Sequence, residues 1–270
     1  MHCKICTAPA RETFRARVLG KYDTAYFQCP ACGFLAPEGC EEWLPEAYSS
    51  AITSLDLGLL KRNLELREVV AAIVRAFFRP GAKFVDYGGG YGVLVRLLRD
   101  RGLDFYRQDV YAENLFAKDF EWTDAGTAQF ELLTAFEVFE HLADPAFELQ
   151  KMLEFSDNIL FSTELQPHPH PTPDSWWYIL PEIGQHVALF SRRSLAVLAE
   201  RHGLHFYTNG KNLHLLTRRK LETGSWNLAA PLLFRALSYH QISRVFNAVL
   251  PGRRSLLQAD FDMIRAKIGH

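Results

Sequence analysis

Along the chain, short apolar runs of strand length alternate with stretches whose apolar residues recur every three or four positions. From Leu59 the positions Leu60, Leu64, Val70, Ile73, Val74 and Phe77 keep helical spacing until Arg79-Pro80-Gly81 stops them. "KFVDY" then predicts a strand, "VLVRLLRDRG" a helix ending at Gly102, and "DFYRQD" and "FELLTAF" two more strands. "PAFELQKMLEF" predicts a helix, "NILFST" a strand and "RRSLAVLAERHG" a helix. "LHFYTN" and "LHLLTRR" predict a closing hairpin around Gly210. Strands alternating with helices in this way predict a mostly parallel sheet covered on both faces, with an antiparallel strand added by the hairpin.

Flanking this body, "FRARVL" and "TAYFQC" read as short N-terminal strands. "EEWLPEAYSSAITSLDLG" reads as a connector or lid punctuated by Pro45 and Gly58. The stretch after Arg219 reads as two or three helices broken near Pro251 and Gly252. "QPHPHPTPDSWWYILPEIGQH", Gln166 to His186, is a proline-rich connection of a length usually reserved for functional loops. The expected domains are therefore 1–40, a small ribbon; 41–219, the α/β body with 41–58 as connector; and 220–270, a helical extension.

Composition narrows the function classes. At 270 residues with 48% apolar content the chain can bury a sizeable core. A formal charge of −1 gives no overall basic footprint for nucleic acid, and no apolar run is long enough for a membrane span. Five cysteines without an export signal imply a cytoplasmic protein whose thiols do something other than form disulfides.

Four of them form two C-x2-C pairs, Cys3 with Cys6 and Cys29 with Cys32, which is the ligand set of a tetrahedral zinc site. A ribbon of this size cannot stabilise itself by burial alone, and a structural metal would supply the deficit. The plain alternative is a chance set of reduced thiols. Cys40 is left over as an ordinary thiol.

The turn "VDYGGGYG" lies where the first strand of the body ends, the place where open parallel sheets bind ligands. No register of it reads G-x-G-x-x-G, and an acid inside the turn would repel a pyrophosphate; it suits a ligand with a positive end. The pattern Asp86-x-Gly88-x-Gly90-x-Gly92, with Asp109 closing the next strand and "FELLTAFEVFEHLADP" following, resembles class I S-adenosylmethionine-dependent methyltransferases. That resemblance covers Leu59 to about Arg218. It implies a Rossmann-like methyltransferase fold with a mostly parallel seven-stranded sheet, whose third strand is poorly marked here. It also implies that Asp86 and Gly88 sit beside the methionine moiety, that Gly90 and Gly92 admit the cofactor, and that Asp109 holds the ribose. Phe136 and Glu137 would line the cleft, with Asp119 and Phe120 flanking the adenine. Tyr48 would close the cleft, and Arg62 would either meet the cofactor's carboxylate or, as the usual surface role of arginine favours, stay a solvated helix residue.

A narrower resemblance joins the cysteine ribbon and "GQHVALFS" to the sugar C-methyltransferases. In that family an acid–His pair followed by an aromatic-Ser step supplies a base. Gln185 stands in place of the acid here and Ile183 in place of a tyrosine, while His186 and Phe190-Ser191 are kept. His186 is the expected general base, with His141 as the alternative and a packed histidine as the bland reading of each. The acceptor is expected to be a small, sugar-like molecule. Basic residues at Arg244 to Arg254 keep an RNA or protein acceptor, docked by the ribbon, as the alternative, and a non-catalytic scaffold is the third class. Trp176, Trp177 and Tyr178 would either stack on the acceptor or pin their loop, and His168 and His170 read as solvated loop residues rather than metal ligands.

Overall fold

A computed structural model describes residues 1–48, 57–221, 262 and 265–266. The expected C-terminal helices and the basic stretch Arg244 to Arg254 lie outside those residues. The chain divides into two compact units, one formed by Met1–Ala51 with Leu132–Lys220 and the other by Ile52–Glu131 with Leu221–His270.

The first unit begins with a three-stranded antiparallel ribbon: β1 Arg11–Val18, β2 Tyr22–Gln28 and β3 Leu35–Pro37. Both expected strands are present, and β3 is an addition that the short run after Gly33 did not signal. A one-turn helix, α1 Leu44–Ala47, then occupies the front of the expected connector. Trp43 before it is buried and donates its indole N–H to Gly184 O at 2.9 Å.

The second unit opens with α2 Leu59–Phe77. Its buried face runs from Val69 to Val74, whereas Leu60 is 64% exposed, so the apolar stripe is used only in its C-terminal half. Phe78, which closes the helix, is extended and donates its N–H to Val74 O at 2.9 Å. β4 Lys83–Tyr87 pairs in parallel with β5 Asp104–Gln108 across α3 Val93–Arg99.

Back in the first unit come β6 Leu132–Ala135, α4 Pro145–Phe155, β7 Asn158–Ser162, α5 Arg192–Arg201, β8 His205–Thr208 and β9 Leu213–Thr217. β6 and β7 are parallel; β9 pairs antiparallel with both β7 and β8, as the closing hairpin predicted. β6 and β7 are buried along their whole length, the signature of strands covered on both faces. α4 is capped by Asp144, whose carboxylate accepts from Phe147 N–H, with Pro145 at the first helical position.

Six α/β strands are thus present among the described residues, in a mixed arrangement, rather than the seven that the family resemblance implies. Where the third strand was expected, Glu121 makes a single parallel bridge to Arg107, and a 3-10 turn, Trp122–Ala125, follows at once. Glu121 and Asp124 cap that turn reciprocally, so the backbone coils where it would otherwise extend. Among the described residues no helix is long and apolar enough to cross a membrane.

The ribbon does not stand apart within its unit. Val18, Tyr26, Leu35, Cys40 and Trp43 share one apolar cluster with Trp176, Tyr178, Ile179, Val187 and Leu189 from the proline-rich loop and the strand-like run behind it. The backbones of Leu35 and Leu189 exchange hydrogen bonds, and Leu19 N–H donates to Pro181 O. Replacing Trp43 by Phe keeps most of the apolar area but leaves the buried Gly184 carbonyl without its donor. A loss of about 1–3 kcal/mol in urea unfolding is expected; an unchanged midpoint would mean that the bond contributes nothing net.

Candidate active site

The glycine turn follows β4 because Gly88, Gly90 and Gly92 all take left-handed backbone, with φ of 68°, 53° and 84°. Two of them do different work. A Cβ on Gly92 would lie 2.9 Å from Ala117 Cβ and 3.0 Å from Ala117 N, so this glycine permits close packing. A Cβ on Gly90 would meet nothing within 4 Å. Open space therefore lies over the middle of the turn, while a Cβ on the neighbouring Gly89 would lie 3.1 Å from Oδ2 of the buried Asp86.

Asp109 sits just past β5 and is folded into the turn. Its Oδ2 accepts from Gly90 N–H at 2.8 Å, and its Oδ1 accepts from the N–H groups of Tyr111 and Ala112 at 2.7 and 2.8 Å. Three acceptances leave a carboxylate with further lone-pair capacity. Asp109 and the glycine turn are thus brought together as expected, through bonds within the protein.

Arg107 is the organiser that the sequence reading passed over. It is buried in β5, where its register partner is Asp86. Its Nε donates to Gly90 O at 2.6 Å, and one terminal nitrogen meets Glu121 Oε1 at 2.7 Å. The other donates to Ala112 O and lies 3.8 Å from Asp109. Asn114 joins this clamp, donating to Glu121 and to Ala117 O. A charge in the middle of an otherwise buried parallel strand was the available signal.

Of the expected adenine flank, Asp119 is exposed with φ 67°. One face of Phe120 is covered by the Arg99 guanidinium, 3.7 Å from the ring centroid. Phe120 is a partner of Arg99 by cation–π attraction, which leaves it a poorer platform than expected. Arg62 is half-buried on α2.

In the first unit, Phe136 and Glu137 follow β6. Glu137 holds φ 56°, a strained value for a side-chain-bearing residue, and is fixed by Ser162, whose hydroxyl accepts from Glu137 N–H and donates to Glu137 Oε1. A second cluster joins two segments that are far apart in sequence: Glu140, His141 and His186 each place a ligand-type atom within 4.8 Å of the others. Tyr48 meets His141 edge-on at 6.0 Å between ring centroids, and His141 meets His186 at 5.1 Å. Glu140 is fully buried, and neither carboxylate oxygen has a hydrogen-bond partner of acceptable geometry. Burial, reinforced by Glu137, pushes its acid up to about 7. Burial, reinforced by His141, pushes His186 down to about 4.

The remaining pieces of the narrower resemblance are structural. Gln185 donates to Ala47 O at 2.7 Å. Phe190 is buried, and Ser191 caps α5 while donating to Cys32 O at 2.7 Å. Trp176 and Tyr178 pin their loop to the core, and only Trp177 stays outside, 58% exposed. His170 bonds to Gln28.

Cys3, Cys6, Cys29 and Cys32 bring their sulfurs within 4.8 Å of one another, with 3.5 Å between Cys3 and Cys32 and 3.4 Å between Cys6 and Cys29. Sulfurs bound tetrahedrally to zinc lie about 3.8 Å apart, so the donor set fits that ion. Cys40 is buried and burial pushes its thiol up, as expected of an inert cysteine.

A family model described as "Methyltransferase domain" matches residues 60–208. No curated protein matches the sequence. Similar solved structures include CalO1, a methyltransferase in calicheamicin biosynthesis in its SAH-bound form, at 14% identity over 57% of this chain and 54% of that one, with a TM-score of 0.41. Human N-acetylserotonin methyltransferase in complex with SAM matches at 15% identity over 67% of each chain, TM-score 0.41. Magnesium protoporphyrin IX methyltransferase from Synechocystis PCC 6803 with bound SAH matches at 14% identity over 66% of this chain and 94% of that one, TM-score 0.42. The chain spans about half the length of the first of these. The family model covers more than half of the 270 residues, in the stretch that holds the glycine turn and its acids; the protein belongs to the methyltransferase-domain family.

Proposed function

We propose that this chain transfers a methyl group from S-adenosylmethionine to a small, sugar-like acceptor, with the glycine turn as the cofactor's seat. The open space over Gly90, whose N–H is held by Asp109 and whose neighbour Gly89 packs against the buried Asp86, carries this reading. A left-handed glycine with nothing above it lets a ligand approach the backbone, and the acids suit a ligand bearing a positive end and hydroxyls. The cofactor supplies a methyl group already activated on a sulfonium. Asp86 and Gly88 would then hold the methionine moiety, Gly90 and Gly92 would shape the bed, and the spare lone pairs of Asp109 would accept ribose hydroxyls. Phe136, Glu137 and Tyr48 are the further residues proposed to bind the cofactor.

The acceptor must be aligned with the methyl group and relieved of a proton. Glu140, His141 and His186 are the proposed place for that proton, with His186 and His141 as the catalytic histidines. Trp177 offers an exposed aromatic face of the kind that stacks on a sugar ring. The ribbon's shared core with residues 176–189 supports reading residues 1–40 as a fixed part of the enzyme, held by a structural zinc, rather than as a docking arm for RNA or protein. Five free cysteines fit a reducing, cytoplasmic setting.

Calorimetry with S-adenosylhomocysteine tests the seat. Gly90→Ala should fold with a penalty of about 1–2 kcal/mol, since alanine tolerates a left-handed backbone at that cost. It should bind the ligand at least about tenfold more weakly, the equivalent of about 1.4 kcal/mol. Wild-type protein that binds no S-adenosylhomocysteine would overturn the assignment. Labelled S-adenosylmethionine incubated with a cell extract, followed by separation by size, tests the acceptor: label in macromolecules would move it to RNA or protein.

A further inference from the structure

We propose that Glu140, His141 and His186 bind a divalent transition-metal ion of the zinc class, at a site separate from the four cysteines. The inference deepens the proposed function, because the ion would sit where the acceptor's proton is to be removed.

The first observation is the unpartnered carboxylate. Glu140 is wholly inaccessible to solvent, yet neither of its oxygens accepts a hydrogen bond of acceptable geometry. A buried carboxylate left in that condition costs several kcal/mol, which a cation would offset. Its backbone is tied down independently: Glu140 O accepts from the N–H groups of Val187 and Ala188, both at 2.9 Å. The segment carrying His186 is therefore stitched to the one carrying Glu140 and His141.

The second observation is how the histidines are held. His141 Nδ1 lies 3.1 Å from Gln185 O, and His186 Nδ1 lies 2.7 Å from Tyr178 O. A carbonyl can only accept, so each ring carries its proton on Nδ1, which puts the ring's lone pair on Nε2. Metal-ligating histidines are held in this way, by a backbone carbonyl that fixes tautomer and ring orientation. Two imidazole nitrogens and one carboxylate form the donor set of three-ligand zinc sites and related divalent centres, which leave a coordination position open.

The third observation is spacing. The three ligand-type atoms lie within 4.8 Å of one another. Tetrahedral coordination at about 2.0–2.1 Å asks for about 3.4 Å between ligand atoms, so side-chain closure of up to about 1.5 Å completes the site. An ion there would lower the pKa of an acceptor hydroxyl placed on its open position, so that oxygen meets the methyl group as an alkoxide. The displaced proton would leave to solvent, and with the ion bound His141 and His186 would serve as its ligands in place of taking the proton themselves.

Metal content of the full-length chain tests this, comparing wild type with Glu140→Gln and His186→Asn. Each variant is expected to hold about one ion fewer per chain than wild type, while the cysteine-held ion persists. Equal metal content in all three proteins would overturn the proposal. A titration of zinc-loaded wild type with Co2+ covers the case of variants that misfold or of an ion lost in purification. A cobalt spectrum with d–d bands but without sulfur-to-metal charge transfer is the expected signature; its absence at saturating cobalt also overturns the site. S-adenosylhomocysteine affinity, measured in parallel, separates this outcome from failure of the methyltransferase reading. Ligand that binds to metal-free protein leaves the cofactor seat standing whatever the metal result.

Discussion

Cys29→Ser is expected to yield protein that cannot hold the proposed ribbon zinc and lacks a native N-terminal unit. Cys29 and Cys32 close the turn between β2 and β3, and Cys3 and Cys6 reach them from the chain start. The outward face of β1 is largely exposed, so apolar burial on that side is small. Structural zinc in such a ribbon contributes an apparent ~10–16 kcal/mol at neutral pH, against a typical total domain stability of ~5–15 kcal/mol. Loss of the metal therefore exceeds what the ribbon's own contacts can hold. The damage should not stop there. Ser191, the cap of α5, donates to Cys32 O, and Val18, Tyr26, Leu35 and Trp43 cover the same apolar cluster as Trp176 to Leu189. Chelation of wild-type protein should accordingly expose the 166–190 loop to protease together with the ribbon, with loss of near-ultraviolet circular dichroism. Zinc analysis and a thermal melt check the variant. A Cys29→Ser protein that melts at the wild-type temperature, beside a wild type free of zinc, would remove the metal from the account.

The two features that sequence made plain are local ones. The four cysteines come as two tight pairs, and the glycine turn is eight consecutive residues whose backbone geometry is written in their types. The closing hairpin was legible for the same reason, since Gly210 sits between two alternating runs. What stayed hidden depends on distance. Glu140 and His186 are neighbours only because the backbones at 140 and 187–188 bond to each other, and nothing in either segment announces its partner. Ser191 looked like part of a catalytic step because its spacing from His186 fitted; in the fold its hydroxyl is spent on α5 and on Cys32 O. Phe120 looked like a platform until Arg99 came to lie on its face. The missing third strand has a comparable origin. Glu121 has a strand's bridge to Arg107, but its side chain and that of Asp124 favour a capped turn, and local polar competition wins over extension.

Arg107→Met should be the most damaging single substitution in the second unit, and it should damage binding as well as stability. Methionine fills much of the same volume, so the expected cost is electrostatic. Glu121 loses its cation, and the carbonyls of Gly90 and Ala112 lose the donors that the buried Arg107 supplies. Breaking a fully buried pair by removing one partner costs about 3–5 kcal/mol, and the partial exposure of the Glu121 side chain, 33%, places the expected loss below that range. The same bonds run to Gly90 O on one side and to the 112–121 loop on the other, so the turn loses the strut that fixes its height over β4. S-adenosylhomocysteine affinity should therefore fall together with the urea midpoint. Lysine will not rescue it, because three separate acceptors need the planar fork of a guanidinium and an ammonium is a single point. The double variant Arg107→Met with Glu121→Gln discriminates between strut and filler. Residues coupled in one network show an interaction energy of about 0.5–3 kcal/mol in such a cycle, so the second change should cost much less after the first. Strict additivity, with binding intact in Arg107→Met, would mean that the turn keeps its shape through the Asp109 bonds alone.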